Sequence, residues 1–397
     1  MEVDEEGVKT GDRCSRLYYL VKLFRPSNPY SSLRTCCFRC PGLAKPKPKR
    51  QRFEYAGAQS TQVGDHWGIP GVCRVVLITG GSRGMGLEVA RQLAGRNAYI
   101  VIVARDAKRL EEALVCIKEK AVGRRFQRFH AINADLTDPN AAQRVMREVV
   151  EWNGGKPPDV VWCCAGSAHP TLFADTPAEE FKAQMESNYL SAAYIAQAAL
   201  QTWLRIPTPP SPSNPKARHI ILTGSTVSFY SIAGYSPYSP SKAALRSLAD
   251  SISREVHLYA GANPKEPEIK VHTVFAASIL TDSYERENLI KADVTKKLEE
   301  ADKSQTAEAV ARKSIVGLER GYEFVATDFL TKLVMTANMG GSSGRGGFWR
   351  GLGLWVVGCV MSLLLLVVRG GQDRVVRNWG RVHGASGFKK GSGRNAG

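Results

Sequence analysis

An α/β fold, a doubly wound parallel sheet with helices on both faces, is predicted by three observations. Short continuous apolar runs recur through the middle of the chain, helix-forming segments separate them, and a glycine-rich turn directly follows the first run. A strand buried on both faces needs no polar alternation, so Val75-Val-Leu-Ile78 has the character of a central parallel strand. Comparable runs stand at Tyr99–Val103, Phe129–Ile132, Val160–Cys164, His219–Leu222 and Ile269–Phe275, with helical segments such as Gly86–Gly95 and Asp106–Lys120 between them. Strand alternating with helix builds a parallel sheet, because a parallel neighbour is reached only through a long crossover. The segment Arg205–Arg218, RIPTPPSPSNPKAR, holds five prolines and is expected as an inserted surface loop.

With 397 residues, 43% hydrophobic and 8% aromatic, the composition is globular. The net charge of +17 resembles a nucleic-acid signal until it is divided along the chain. Residues 71–344 carry 33 Lys+Arg against 29 acids, whereas residues 345–397 carry 9 against 1. Basic tails beside apolar segments meet anionic lipid head groups more often than DNA, so a membrane partner and no nucleic acid are expected. Nine cysteines, an odd number with no secretory leader before them, favour a reducing, cytosol-facing location. Cys36, Cys37 and Cys40 include a Cys-x-x-Cys, but no second pair or histidine cluster follows at zinc spacing. No metal is expected there; a palmitoylated or unstructured basic segment is.

The expected organisation is a basic, largely disordered extension over 1–70, the α/β domain over 71–335, a Gly/Ser-rich linker over 336–350, an apolar segment over 351–368 and a basic tail over 369–397. Gly351–Val368 runs 18 residues without a charge. As a helix it covers roughly 27 Å, close to a hydrocarbon core of about 30 Å. Trp349 and Trp355, with Arg345 and Arg350 before the segment and Arg369, Arg374, Arg377 and Arg381 after it, have the character of interfacial anchors. A transmembrane or membrane-embedded helix is the expectation, with a buried core helix as the competing reading.

Directly after the first strand stands Thr79-Gly-Gly-Ser-Arg-Gly-Met-Gly86. Glycines there let the backbone turn sharply and approach a pyrophosphate, whose charge is stabilised by amides at the start of the next helix, the arrangement of a Rossmann-type sheet. The same residues read Gly80-x-Ser82-x-Gly84, a hydrolase elbow, but an elbow normally lies mid-domain. An acidic residue after the second strand would bind a ribose hydroxyl, while arginine suits an added 2′-phosphate. Here Arg105 occupies that place, with Arg83 in the glycine loop and Arg109 one turn onward, so NADPH is the expected cofactor. Asp106 is expected to cap the next helix.

In GYSPYSPSKAALRSL, Tyr238 and Lys242 are one helical turn apart, whereas Tyr235 and Lys242 are two turns apart. A phenol titrates near pH ~10, so a neighbouring ammonium is what makes it useful in proton transfer at neutral pH.

The ordered set of glycine loop, Asn188, Ser225 in Leu222-Thr-Gly-Ser225, and Tyr238-x-x-x-Lys242 resembles the short-chain dehydrogenase/reductase family over roughly residues 74–321. The resemblance implies that Tyr238 donates a proton to a substrate carbonyl, that Lys242 lowers its pKa and holds the nicotinamide ribose, that Ser225 hydrogen-bonds the carbonyl oxygen, and that Asn188 supports a water relay. It also implies cofactor contacts from Gly80, Ser82, Arg83, Gly84, Gly86, Arg105, Arg109, Asp135 and Thr281. Tyr235 and Tyr230 are then expected to shape the pocket or pack.

Within that family, the stretches LITGGSRGMG, CCAGSAHPTLF, GYSPYSPSKAALRSLADSISRE and SILTDSYERENL, with the apolar C-terminal segment, are similar to fungal-type 3-ketosphinganine reductases. The implied reaction is NADPH-dependent reduction of 3-ketosphinganine to sphinganine at the cytosolic face of the endoplasmic reticulum membrane. A homodimer through the helices bearing Asn188 and Tyr238 is implied by analogy alone. Ser278–Glu300 stands where such enzymes place a mobile lid. Two departures weigh against full correspondence. Cys163-Cys-Ala-Gly166 replaces Asn-Asn-Ala-Gly, and Ala276-Ala277 replaces a Pro-Gly whose loss is expected to weaken the cofactor site. Another membrane-bound reductase, acting on a 3-ketoacyl chain, retinoid or steroid, and an inactive NADPH-binding scaffold are the competing readings.

Overall fold

The computed structural model describes residues 74–122, 126–206, 216–300, 302–338 and 348–390. The N-terminal extension with Cys36, Cys37 and Cys40, most of the proline-rich insertion, and most of the glycine linker with Arg345 lie outside the described residues.

Each expected apolar run forms a strand: β1 (Val75–Thr79), β2 (Tyr99–Ala104), β3 (Phe129–Asn133), β4 (Val160–Cys163), β5 (Arg218–Ser225) and β6 (Ile269–Ala276). Three shorter strands follow, β7 (Ile279–Leu280), β8 (Gln305–Thr306) and β9 (Phe324–Ala326). The main sheet is parallel, in the order β3-β2-β1-β4-β5-β6-β9, while β7 and β8 pair separately. Strand order reverses between β1 and β4. The carboxyl ends of the strands beside such a reversal open a crevice that a ligand can enter.

The helices are α1 (Gly84–Ala94), α2 (Ala107–Glu119), α3 (Pro139–Trp152), α4 (Ala178–Met185), α5 (Ser191–Arg205), α6 (Tyr238–Ala262), α7 (Asp282–Ile290), α8 (Asp293–Glu299), α9 (Ala307–Glu319), α10 (Phe329–Asn338) and α11 (Phe348–His383). Successive strand side chains point to opposite faces, which divides each apolar run between two layers. Val75 and Leu77 join α3, α5 and α6 in one core, while Val76 and Ile78 join α1, α2 and α9 in the other. Asp106 and Asp138 cap α2 and α3 through their carboxylates, accepting from Arg109 N and Asn140 N respectively.

The apolar C-terminal segment is part of α11, which continues past Val368 through the arginines to His383. Among the described residues it is the one helix long and apolar enough to cross a membrane, with a best window of mean hydropathy 1.6 that is only 6% buried. That exposure is unlike a core helix, which is mostly buried. Trp355, Val360, Leu363, Leu364, Leu366 and Val367 form an exposed apolar flank. On the opposite side α11 approaches α10 closely: a Cβ at Gly358 would meet Thr336 O at 2.8 Å, and Ser362 Oγ donates to Ala337 O at 3.0 Å. After α11 the chain turns at Gly384 and docks on α8, with Val294 N donating to Gly387 O and Lys389 N to Asp293 Oδ2, each at 3.0 Å.

Trp162 on β4 is fully buried and donates through Nε1 to Thr223 Oγ1 at 3.3 Å. Trp162→Ala is expected to cost ~3–5 kcal/mol through lost transfer energy and a residual cavity. The midpoint of urea unfolding of the detergent-solubilised protein measures it.

Candidate active site

The turn from β1 into α1 is built so tightly that side chains are excluded. Gly80 has φ +63°, and a Cβ there would meet Ala165 N at 2.8 Å; one on Gly86 would meet Gly80 O at 2.3 Å. Thr79 Oγ1 accepts from Ala165 N at 3.1 Å, tying the ends of β1 and β4 together. Backbone amides at the start of α1 therefore face an open approach suited to a phosphate.

Beside this loop lies a group of arginines, Arg83, Arg105, Arg109 and Arg286, partly balanced by Asp135, Asp106 and Asp282. Burial, followed by the like charges of Arg286, Arg109 and Arg105, pulls the Arg83 guanidinium below its ordinary value. Arg105 is held where β2 ends by Asn133 Nδ2, which donates to Arg105 O at 2.7 Å. Its side chain, 70% exposed, is 3.7 Å from Asp135. Asp135 accepts from Thr137 N at 3.0 Å and Thr137 Oγ1 at 2.9 Å. It therefore makes the turn contacts and stands beside the arginine group as well. Thr281, the cap of α7, faces the glycine loop, its methyl 3.4 Å from where a Gly84 Cβ would stand. The cradle fits the pyrophosphate of a dinucleotide.

Deeper in the crevice, Ser225, Tyr238, Lys242 and Asn188 come together. Ser225 ends β5 and lies close enough to the Tyr238 phenol to lower its pKa. Lys242, one turn along α6, has its Nζ 5.7 Å from the Tyr238 ring centre and donates to Thr223 O at 2.9 Å. Burial lowers the Lys242 ammonium to about 8. Burial raises the pKa of the Tyr238 phenol, Glu287 adds to the rise, and Ser225 opposes it. The phenol is therefore protonated at neutral pH.

Asn188 is fully buried inside a π-helical turn, Glu186–Leu190. Such turns interrupt regular helices at functional sites. Its Oδ1 accepts from Ser167 N at 3.1 Å and its Nδ2 donates to Ser167 O at 2.9 Å and Gln184 O at 3.0 Å. A Cβ on Gly166 would lie 2.4 Å from Asn188 Oδ1 and 3.4 Å from Lys242 Nζ, so the small residue keeps both polar groups accessible. Burial pushes the Cys164 thiol up to about 12 and that of Cys163 higher still, leaving both as unreactive small side chains. Ala276 is buried at the end of β6 in register with Ser225, so the strand keeps its place without Pro-Gly.

Tyr235 is buried and donates to Glu299 Oε1 at 2.6 Å, and Tyr230 donates to Gln372 Oε1 at 2.7 Å. Both tyrosines hold the surroundings of the site in place. Tyr230 also lines a cavity of about 800 Å³ between α11 and the turn following Ser225, together with Phe229, Ile232, Leu298, Leu365 and Leu366. Lys291, completely buried, is 2.7 Å from Glu299 Oε2. Burial, with Glu299 adding to it, raises the Glu287 carboxyl to about 7. The sequence reading missed Glu287, Lys291 and Glu299, because charges on short helices look like solvated surface; their only signal was membership of Ser278–Glu300.

Comparison with known proteins follows this geometry. The short chain dehydrogenase profile matches residues 74–290. The chain is 44% identical over 328 residues to the 3-ketodihydrosphingosine reductase of Aspergillus fumigatus, covering 81% of this chain and 88% of that one. It is 38% identical over 317 residues to the Neurospora crassa 3-ketodihydrosphingosine reductase, covering 78% and 83%. Among solved structures, a short-chain dehydrogenase from Sphingobium yanoikuyae in complex with NADPH matches with TM-score 0.54 and 23% identity, over 68% of this chain and 93% of that one. This chain belongs to the short chain dehydrogenase family.

Gly86→Ala is expected to weaken dinucleotide binding at least ~10-fold, a loss of ~1.4 kcal/mol, because the methyl forces the loop away from Gly80 O. Titration of nucleotide fluorescence measures it, with circular dichroism checking that the fold persists.

Proposed function

We propose that this chain reduces the ketone of 3-ketosphinganine to the alcohol of sphinganine with NADPH, in the formation of sphingoid bases. One observation carries the reading: Ser225, Tyr238 and Lys242 converge beside a dinucleotide cradle in a chain 44% identical to a protein named 3-ketodihydrosphingosine reductase. A nicotinamide cofactor belongs to the family, and the charge around Arg83, Arg105 and Arg109 supports the phosphorylated form. Gly80, Ser82, Gly84 and Gly86 would bind its pyrophosphate, Asp135 its adenosine side, and Thr281 its nicotinamide amide.

The bound dinucleotide supplies the hydride that reduces the carbonyl carbon. Tyr238 supplies the proton to the carbonyl oxygen as negative charge develops there. Ser225 holds the same oxygen by a hydrogen bond. Lys242, anchored on Thr223 O, places a cation behind the phenol as it becomes anionic. Asn188 keeps the turn at Ser167 in position and supports a water path for re-protonation. The fatty chain of the substrate is assigned to the apolar part of the cavity, at Phe229, Ile232, Leu298, Leu365 and Leu366; Arg369, Gln372, Asp373 and Arg377 of α11 also line it. The exposed flank of α11 supports attachment to a membrane, which we assign to the cytosolic side of the endoplasmic reticulum. A tethered enzyme meets a membrane-dissolved ketone at high effective concentration.

Tyr238→Phe is expected to lower kcat for NADPH oxidation with 3-ketosphinganine by ~10²–10⁴-fold, the contribution of a positioned general acid. Sphinganine formation followed by mass spectrometry measures it, and full activity in the variant refutes the assignment. Arg105→Ala is expected to raise KM for NADPH about tenfold relative to KM for NADH, as loss of one charge-assisted phosphate contact predicts. Equal effects on both nucleotides would refute a phosphate-reading role.

A further inference from the structure

We propose that α11 lies in the plane of a membrane surface, its outer flank sunk into one leaflet that contains anionic lipid, and does not cross the bilayer. The inference rests on the membrane attachment proposed above and says how that attachment is made; it is independent of which ketone is reduced.

One side of α11 is held by the rest of the protein. Gly358, Met361, Leu365, Gln372, Val376 and Trp379 are each less exposed than the residues next to them in the chain. Their spacings of three, four and seven residues line a single side of a helix. Contacts run along that side. A Cβ at Gly358 would meet Thr336 O of α10 at 2.8 Å, and Ser362 Oγ donates to Ala337 O at 3.0 Å. Leu365 and Val376 line the cavity, and Gln372 Oε1 accepts from the Tyr230 phenol at 2.7 Å. Beyond the helix the chain closes on α8 through Gly387 and Lys389.

These contacts begin inside the apolar segment Gly351–Val368, not after it. Crossing a hydrocarbon core of about 30 Å takes about 20 apolar residues. The part of α11 before the first contact, residues 348–357, is about 15 Å long and covers half of that. To span, α11 would have to break the bonds at Ser362 and Gln372 or draw α10 and the irregular turn after Ser225 into hydrocarbon, where unpaired backbone groups are costly.

The free side carries the complementary signal. Val360, Leu363, Leu364, Val367, Val375 and Val382 are exposed and fall on the face of α11 opposite the contacts. Val375 and Val382 lie past the end of the apolar segment, where a spanning helix would already have left the bilayer. Arg374 and Arg381, each exposed, stand immediately before them. An apolar stripe that continues among arginines is the pattern of a helix lying at the head-group boundary, with its guanidiniums reaching lipid phosphates. In this orientation the cavity stands about one helix diameter, about 10 Å, from the hydrocarbon, a short path for a ketone leaving the lipid.

The test reads topology and binding, not turnover. Full-length chains carrying an N-glycosylation tag either in the linker before Phe348 or after Gly397 are expressed in endoplasmic-reticulum microsomes. Both tags are expected to remain unmodified and open to added protease while the protein stays with the membrane. Glycosylation of one tag and not the other shows a crossing and overturns the inference. In flotation with vesicles of phosphatidylcholine and phosphatidylserine, the double variant Val375→Gln, Val382→Gln is expected to bind at least ~10-fold more weakly than wild type. Unchanged binding overturns the inference alone, since a spanning helix places both residues outside the bilayer. A wild-type protein that neither floats with vesicles nor stays with microsomes overturns the attachment and the inference together.

Discussion

The site depends on one buried ammonium. Lys242 Nζ lies where water is largely excluded, and its cost is offset by the Thr223 carbonyl at 2.9 Å. That bond joins α6 to the end of β5, which places Tyr238 beside Ser225. The same ammonium limits what Gly166 can be, since a side chain there would meet both Lys242 and Asn188. The strand ends, the π-helical turn and the first turn of α6 thus converge on a single desolvated charge. A buried cation without its carbonyl partner would be driven to give up its proton, and the phenol would lose the charge behind it.

Much of this was legible in the sequence because burial leaves a pattern. The six longer strands show themselves as mainly apolar runs, clearest in β1 and β4, which are covered on both faces, and less uniform in β3 at the sheet edge and in β6 with its exposed Lys270. The glycine loop shows itself through residues that sterics alone demand, and Tyr238 and Lys242 through helical spacing. Strand β9 did not show itself: three residues, Phe324–Ala326, carry too little pattern to stand out. The two-residue strands β7 and β8 had no signal at all. Nor does spacing reveal that Tyr235 is bonded to a carboxylate on α8, because that contact exists only after the chain folds back. The burial of the Tyr238 phenol had no signal for a related reason: pairing is read from spacing, but desolvation is a property of the packed site.

The two tyrosines of GYSPYSPSK show how neighbouring residues of one type divide their work. Tyr238 heads α6, with Ser225 nearby. Tyr235, just before the helix, has its oxygen occupied by Glu299 and its ring beneath Lys291. A phenol committed to a carboxylate has no proton free for a ketone, which fits the proposed division of roles between the two.

The clasp between the end of the chain and α8 gives α11 a fixed point at each end: α10 near its start and Val294 to Gly387 after its finish. Such a helix cannot tilt alone. Any shift of it moves the wall of the cavity at Leu365 and Leu366, and through α8 it reaches Glu299. Linkage then works in both directions. Whatever fills the cavity therefore bears on α11, and the position of α11 in turn sets the shape of the cavity.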